Sequence, residues 1–323
     1  MTEPRRTWRG RLLPRAGEDV EDQGLGFDVQ TLVDRRFLLR GAGLGVVGLG
    51  LVACGSDTAS DSTSTTTSAA TTSTGEIPDE TAGPYPGDGS NGPDVLEESG
   101  IVRSDITSSF GDASGTAEGV PMTLELAVSD LADGGSPYAG VAVYVWHCDR
   151  DGEYSMYSEG IEDQNYLRGV QVTDDDGVVR FTSIVPACYA GRWPHIHFEV
   201  YPDVDSTSDA TNAIATSQVA LPQKACAAVY ATTGYEQSVQ NLADVTLASD
   251  NVFGDDGGAS QLATVTGNVT DGYVVRLAVP IDTSTTPTGG GAPGGGGGGG
   301  APGDGGTPPE PPSGRPGDAV PGQ

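Results

Sequence analysis

The sequence predicts an all-β fold, an antiparallel β-sandwich with mixed loops and little helix, flanked by disordered tails. Three observations carry this. Apolar residues alternate with polar ones in short runs, as in Met122, Leu124, Leu126 and Val128, the period of a strand with one buried face. Turn-forming residues separate the runs, as at Asp174-Asp175-Asp176-Gly177 and Asp271-Gly272, and turn residues between short strands mark reversals of a β chain. Helical spacing is confined to one short segment, 225–230. Several short strands of this kind with turn residues between them indicate an antiparallel sandwich or barrel, and the sandwich is the expectation carried forward.

Taken in order, the strand runs are 121–129, 140–147, 178–184, 193–201, 216–221, 262–269 and 272–280. In 140–147, Val141, Val143 and Val145 oppose Ala142, Tyr144 and Trp146. The aspartates at 174–176 lack the later ligands of a calcium loop and read as a hairpin turn. The folded domain is expected over residues 76–282.

Outside it the composition changes. Arg35-Arg36-Phe37-Leu38-Leu39 is a twin-arginine pattern, followed by an uncharged stretch ending in Leu51-Val52-Ala53-Cys54, a lipobox. Residues 1–53 therefore read as an export signal, with a lipid anchor on Cys54 as the membrane attachment. Residues 54–75 are Ser/Thr-rich and read as a tether. Residues 283–323, with glycine at every position from 294 to 300, read as a disordered Gly/Pro-rich tail. Apart from the signal, no apolar run is long enough to span a bilayer. A formal charge of -29 argues against nucleic acid and anionic membrane surfaces as partners.

The chemistry concentrates in Cys188-Tyr189-Ala190-Gly191-Arg192-Trp193-Pro194-His195-Ile196-His197-Phe198, which holds two of the three histidines. On a strand, His195 and His197 share one face while Ile196, Phe198 and Val200 share the other. Paired neutral imidazoles suggest a metal site. Tyr154, in Asp151-Gly152-Glu153-Tyr154-Ser155, and Tyr189, six residues before His195, are the candidates for the remaining ligands. A free phenol ionises near pH ~10, but a trivalent cation stabilises the phenolate, and hard oxygen donors favour ferric iron over zinc or cuprous copper. A copper site using Cys188 lacks the usual His, Cys, His, Met order.

These residues, with Glu80-Thr81-Ala82-Gly83-Pro84-Tyr85-Pro86, Gly100-Ile101-Val102-Arg103-Ser104-Asp105-Ile106, Trp146-His147-Cys148-Asp149, Gly152-Glu153-Tyr154-Ser155, Leu167-Arg168-Gly169-Val170-Gln171 and Thr216-Ser217-Gln218, give a chain that resembles the intradiol ring-cleavage dioxygenases in a small exported lipoprotein form. The resemblance implies that Tyr154, Tyr189, His195 and His197 bind Fe(III), with Tyr189 the axial ligand displaced when a catechol binds. It implies that Arg192 stabilises negative charge on the substrate ring and that Gln218 stands behind the ligands. The implied reaction opens a catechol-like aromatic between its hydroxyls with O2, giving a cis,cis-muconate. The helical dimerisation segment of catechol dioxygenases has no counterpart here; the Ser/Thr tether stands in its place. A cell-envelope β-sandwich binding module that keeps the fold without turnover is the alternative. His147 falls outside the matched set and reads as structural, and Tyr85 falls near the pocket rim.

With Cys54 lipidated, Cys148, Cys188 and Cys226 remain. Export to an oxidising compartment favours a disulfide, and Cys188–Cys226 is the expected pair, a closure that contributes about 3–4 kcal/mol.

Overall fold

The computed structural model describes residues 75–289, together with a two-residue antiparallel ladder, Thr7–Trp8 against Arg11–Leu12, in a separate unit spanning Met1–Thr67. The twin-arginine pair, Cys54, the Ser/Thr segment up to residue 74 and the tail from residue 290 lie outside the described residues.

The elements of the second unit are β1 (Pro121–Asp130), β2 (Ser136–Pro137), β3 (Ala142–Trp146), β4 (Arg168–Val172), β5 (Val178–Ile184), β6 (His195–Tyr201), β7 (Ala215–Ala220), α1 (Gln223–Tyr230), α2 (Glu236–Asp244), β8 (Thr264–Asn268) and β9 (Gly272–Ile281). They form a sandwich of two sheets, not a closed barrel. One sheet runs β8–β9–β1, with β2 and β5 both pairing with β1; the other runs β4–β3–β6–β7. The second sheet is antiparallel throughout. The first contains one parallel pair, β9 with β1.

Alternation decides which side chains fill the space between the sheets. Leu124, Leu126 and Val128 of β1, Phe181 of β5, and Ile196, Phe198 and Val200 of β6 are all at most 1% exposed and lie in one core. Each such side chain stabilises the fold by about 1.5–3 kcal/mol. The opposite face of the β4–β3–β6–β7 sheet is buried as well. Tyr144, Trp146, Val170 and Tyr201 form a second core there with Tyr85, Val95, Leu96, Ile101 and Tyr154, so all seven residues of β6 are buried. The histidine face of β6 thus looks into a covered space, not into solvent.

Four features depart from the sequence expectations. Strand β4 was not foreseen, because Arg168 and Gly169 are poor strand formers; its place comes from pairing residue for residue with β3, from Ala142↔Val172 to Trp146↔Arg168. Helix α2 was not foreseen either. Its polar run has only Ser238 and Leu242 buried, and it is held by docking: the Ser238 hydroxyl accepts from Cys188 N (3.0 Å) and Asn241 Nδ2 donates to Cys188 O (2.8 Å). The aspartate turn at 174–177 is a tight turn, with Asp174 Oδ1 accepting from Asp176 N and Val178 N. It is not a hairpin, since it joins β4 of one sheet to β5 of the other.

The expected Cys188–Cys226 bridge is not formed. Cys148, Cys188 and Cys226 are all free and buried, and the Cys188 thiol donates instead to Arg192 O at 3.4 Å. Burial pushes both Cys188 and Cys226 up to about 12, which suppresses the thiolate that disulfide exchange requires.

Candidate functional site

The site is assembled from two loops and one strand. Tyr154 lies in the loop between β3 and β4, and Asp149 shapes its first part: the carboxylate Oδ1 accepts from Asp151 N (2.9 Å) and Glu153 N (3.0 Å), while the Asp149 carbonyl accepts from Ala187 N (3.0 Å). The last bond ties the loop to the segment that carries Tyr189. Tyr189 in turn follows Cys188, whose N–H and C=O are both taken by α2. His195 and His197 come from β6, on the face opposite Ile196 and Phe198.

Four donor atoms converge. Tyr189 Oη lies 3.1 Å from His195 Nε2, the two Nε2 atoms are 3.1 Å apart, Tyr154 Oη is 3.5 Å from His197 Nε2, and the two phenol oxygens are 3.4 Å apart. Trp193 O, 2.5 Å from His195 Nδ1, accepts a hydrogen bond from Nδ1–H and so leaves the lone pair of Nε2 directed at the cluster. His197 is stacked on Trp146, its cross-strand partner, with ring centroids 4.9 Å apart. Its other edge is covered by Gly83, where φ is +77° and an added Cβ would lie 3.2 Å from His197 Cε1. Only glycine combines that left-handed backbone with so close an approach.

Burial keeps both imidazoles neutral: it drives His195 and His197 well below the usual histidine range, with Arg192 adding to the effect. Burial also raises Tyr189 to about 12 and holds Tyr154 well above the usual phenol range. Nothing in the protein itself therefore ionises these phenols near neutrality; a bound cation would. Among the described residues no group of three or more His, Cys, Asp or Glu side chains is placed to hold a metal ion. Here half of the donors are phenolic. Two phenol oxygens and two imidazole lone pairs with edges of 3.1–3.5 Å match the spacing around one metal ion with ligands at about 2.0–2.2 Å, so the residues present fit a hard metal.

Arg192 lines the cluster. Its Nη1 is 3.4 Å from His195 Nε2, its Nη2 donates to Gln218 Oε1 (2.6 Å), and its Nε donates to Asp250 Oδ2 (2.9 Å). Gln218 is aimed by its own amide, which donates to Thr81 O at 2.9 Å. Asp250 was missed in the sequence. Its side chain is fully buried, and it also accepts from Trp193 N, Val252 N and Phe253 N. Ser249-Asp250-Asn251 reads only as a turn, and nothing local shows that its carboxylate faces a guanidinium 58 residues away. The structure thus brings together all six expected residues, Tyr154, Tyr189, His195, His197, Arg192 and Gln218. His147 stays outside: its ring bonds Cys148 O and Ser183 Oγ, a structural role. Tyr85 packs its ring 5.0 Å from that of Tyr154.

Glu80 immediately precedes Thr81. It is pushed up to about 7, first by burial and then by Asp255 and Asp256, against the pull of Arg192 and a hydrogen bond from Gln261. A carboxyl raised in the folded state holds its proton more tightly folded than unfolded. The resulting stability is complete below the unfolded value of 4.5 and is lost as pH rises through about 7. Thermal unfolding followed between these limits should show the midpoint falling, and Glu80→Gln should flatten the fall. For a half-buried carboxyl the difference is about 1 kcal/mol, equal to about 2–4 °C. An unchanged slope in the variant would assign the fall to other groups.

Comparison with known proteins adds to this geometry. A family model described as Dioxygenase matches residues 91–202. Chlorocatechol 1,2-dioxygenase of Rhodococcus opacus is 33% identical over 91 residues, covering 25% of this chain and 35% of that protein. Catechol 1,2-dioxygenase of a Pseudomonas species (strain EST1001) is 35% identical over 72 residues, covering 22% of this chain and 23% of that protein. The chain therefore spans only these minor shares of the relatives it matches. Among solved structures, an intradiol ring-cleavage dioxygenase from Tetranychus urticae superposes with a TM-score of 0.53 at 23% identity, covering 66% of this chain and 98% of that one; that likeness is one of fold. The matched segment and the two relatives make this chain similar to ring-cleavage dioxygenases, and the shared sandwich is the fold of an intradiol member of that group.

Proposed function

We propose that the protein is an Fe(III)-dependent intradiol dioxygenase that opens a catechol-type dihydroxy-aromatic between its hydroxyls with O2. The observation that carries this is the convergence of two phenol oxygens and two imidazole Nε2 atoms within 3.1–3.5 Å, beside a fixed guanidinium. In this reading Tyr154, Tyr189, His195 and His197 hold the iron. Bound ferric iron would supply a Lewis acid that keeps the phenols ionised and makes the bound catecholate reactive toward O2.

The remaining roles belong to the protein. Tyr189 is partly exposed whereas Tyr154 is 1% exposed, so Tyr189 is the ligand free to swing away, and its Oη takes a hydroxyl proton from the entering catechol. Arg192 places positive charge where the ring accumulates negative charge, held in orientation by Asp250 and Gln218. Both atoms of O2 enter the product, so a catechol gives a cis,cis-muconic acid with no further reductant. Arg192 is already engaged by three partners, one of them the Asp250 carboxylate, and Glu80 lies close enough to feel both Arg192 and the carboxyls of Asp255 and Asp256. The acidic side chains here would repel a ring carrying a carboxylate, and Arg192 already has its counter-ion, so an uncharged catechol is the better substrate.

The test is direct. Protein loaded anaerobically with ferrous iron and then exposed to air should show a visible tyrosinate-to-iron band that changes when catechol is added. It should then consume one O2 per muconate formed, faster with catechol than with a carboxylated catechol. A colourless, iron-free product after that treatment would instead make the chain a non-catalytic sandwich. The same proposal has the chain exported by the twin-arginine route and anchored at Cys54, on the strength of residues 35–39 and 51–54; the mass of the mature N-terminal peptide, with or without lipid, checks it.

A further inference from the structure

Arg168 opens β4 and is 1% exposed. A guanidinium has five N–H donors in one plane, and each has a partner here. Nε donates to Ser155 Oγ (3.1 Å), Nη1 to Pro86 O (2.6 Å) and Tyr144 Oη (3.1 Å), and Nη2 to Tyr85 O (2.9 Å) and Ser155 O (2.9 Å). All five acceptors are neutral. Among the described residues Arg168 makes no salt bridge, unlike Arg150, Arg180, Arg192 and Arg276. Burying a cation with no counter-ion is costly, so what the side chain supplies is the arrangement of its five acceptors, not an ion pair.

Tyr144 belongs to β3; the other four acceptors belong to the two segments that cover one half of the site. Ser155 follows Tyr154 directly. Tyr85 and Pro86 belong to residues 83–87, the strap whose Gly83 covers His197 and whose Tyr85 ring packs on Tyr154. The strap comes so close to Arg168 that a Cβ on Gly87 would lie 2.8 Å from Nη1, and Gly87 has φ +68°. Its outer side is held separately. Tyr157 Oη accepts from Gly87 N (2.8 Å) and donates to Asn91 Oδ1 (2.8 Å), and Asn91 Nδ2 donates to Pro84 O (2.7 Å). The Tyr157 ring also lies over the Arg168 guanidinium, 5.4 Å from Cζ.

We propose that Arg168 is a positioning residue: its guanidinium fork clamps the 83–87 strap and the Tyr154 loop together, and the clamped strap is the wall against which the substrate ring lies. Lysine cannot replace it, because an ammonium has three donors on one atom and cannot reach both segments in a plane. The clamp itself follows from the hydrogen bonds alone; only its effect on substrate rests on the ring-cleavage reading above.

The experiment uses the full chain carrying Arg168→Lys, with Asn91→Ala as a second variant that loosens the strap from its outer side and leaves the buried cation in place. In metal-free protein, amide hydrogen exchange over residues 84–89 should quicken by about tenfold in Arg168→Lys while the amides of β3 and β6 keep their rates, because local opening is separable from global unfolding. In iron-loaded protein the KM for catechol should rise by about tenfold with kcat changed by less than about threefold, the pattern of lost ground-state positioning. Asn91→Ala should move both readouts the same way by a smaller factor, and decides the matter if Arg168→Lys does not fold. Unchanged exchange over 84–89, or acceleration spread equally over both sheets, overturns the proposal. If wild-type protein turns over no catechol, the function proposed above fails while the exchange measurement still decides the clamp.

Discussion

Replacing Tyr154 with phenylalanine or His197 with alanine is expected to strip the protein of iron and of its visible band, with affinity falling by more than about 100-fold. Both donors are nearly inaccessible, at 1% and 3% exposure, so no solvent-borne ligand readily takes the vacated position. His197 is also locked between Trp146 and Gly83, and no neighbouring side chain can rotate into its place. Tyr189→Phe should behave differently. That phenol is partly exposed, so water can take the vacated position and the variant should hold iron more weakly but still detectably, with the band shifted because one phenolate is gone. Metal content after dialysis and the absorption spectrum measure both effects. Tyr138→Phe, outside the set, should change neither. Retention of iron and band in both Tyr154→Phe and His197→Ala would place the metal elsewhere.

The second large effect concerns Arg192. It gives nothing to the metal in the proposed arrangement, so Arg192→Met should keep the iron and the band yet lose about 10²–10³ in kcat, the usual cost of removing one fixed charge-stabilising donor. The variant also leaves Asp250 buried without its counter-ion, which by itself costs about 3–5 kcal/mol of stability. Arg192→Lys separates the two effects. It keeps a positive charge near Asp250, and so much of the stability, but loses the fork that reaches Gln218 and Asp250 together. Activity should stay low in Arg192→Lys while the thermal midpoint recovers. If activity recovers along with the midpoint, Arg192 acts only through Asp250 as a structural ion pair. Asp250→Asn should also loosen the aim of the guanidinium: its one amide oxygen can still accept from Val252 N and Phe253 N, but the amide nitrogen in place of Oδ2 accepts from neither Trp193 N nor Arg192 Nε.

The two faces of β6 show how much of this was legible. Strict alternation from His195 to Val200 placed both imidazoles on one side and the core on the other, since a strand gives its side chains no other choice. The ordered tyrosines and Arg192 were legible as residue types with a shared chemistry. Strand β4 was not, because its hydrogen bonds come from β3 and its own residues show no preference for the strand. Helix α2 was hidden for the same reason: Ser238 and Asn241 hold the backbone of Cys188 through contacts 50 and 53 residues apart in sequence. The thiols of Cys188 and Cys226 looked like a pair on compartment and spacing, yet the packed core leaves both protonated and gives Cys188 a different partner.

The sequence by itself therefore determined the all-β class and the shared face of His195 and His197, because strand period is a local property, and it offered Tyr154 and Tyr189 as candidate partners of the histidines. Only the tertiary structure decided that Asp250 orients Arg192, that Trp193 O fixes which nitrogen of His195 faces the cluster, and that Arg168 ties the strap to the Tyr154 loop. Each of these is a hydrogen bond whose donor and acceptor meet only when the loops close over the outer face of the β4–β3–β6–β7 sheet, and in a buried space every such group must find its partner.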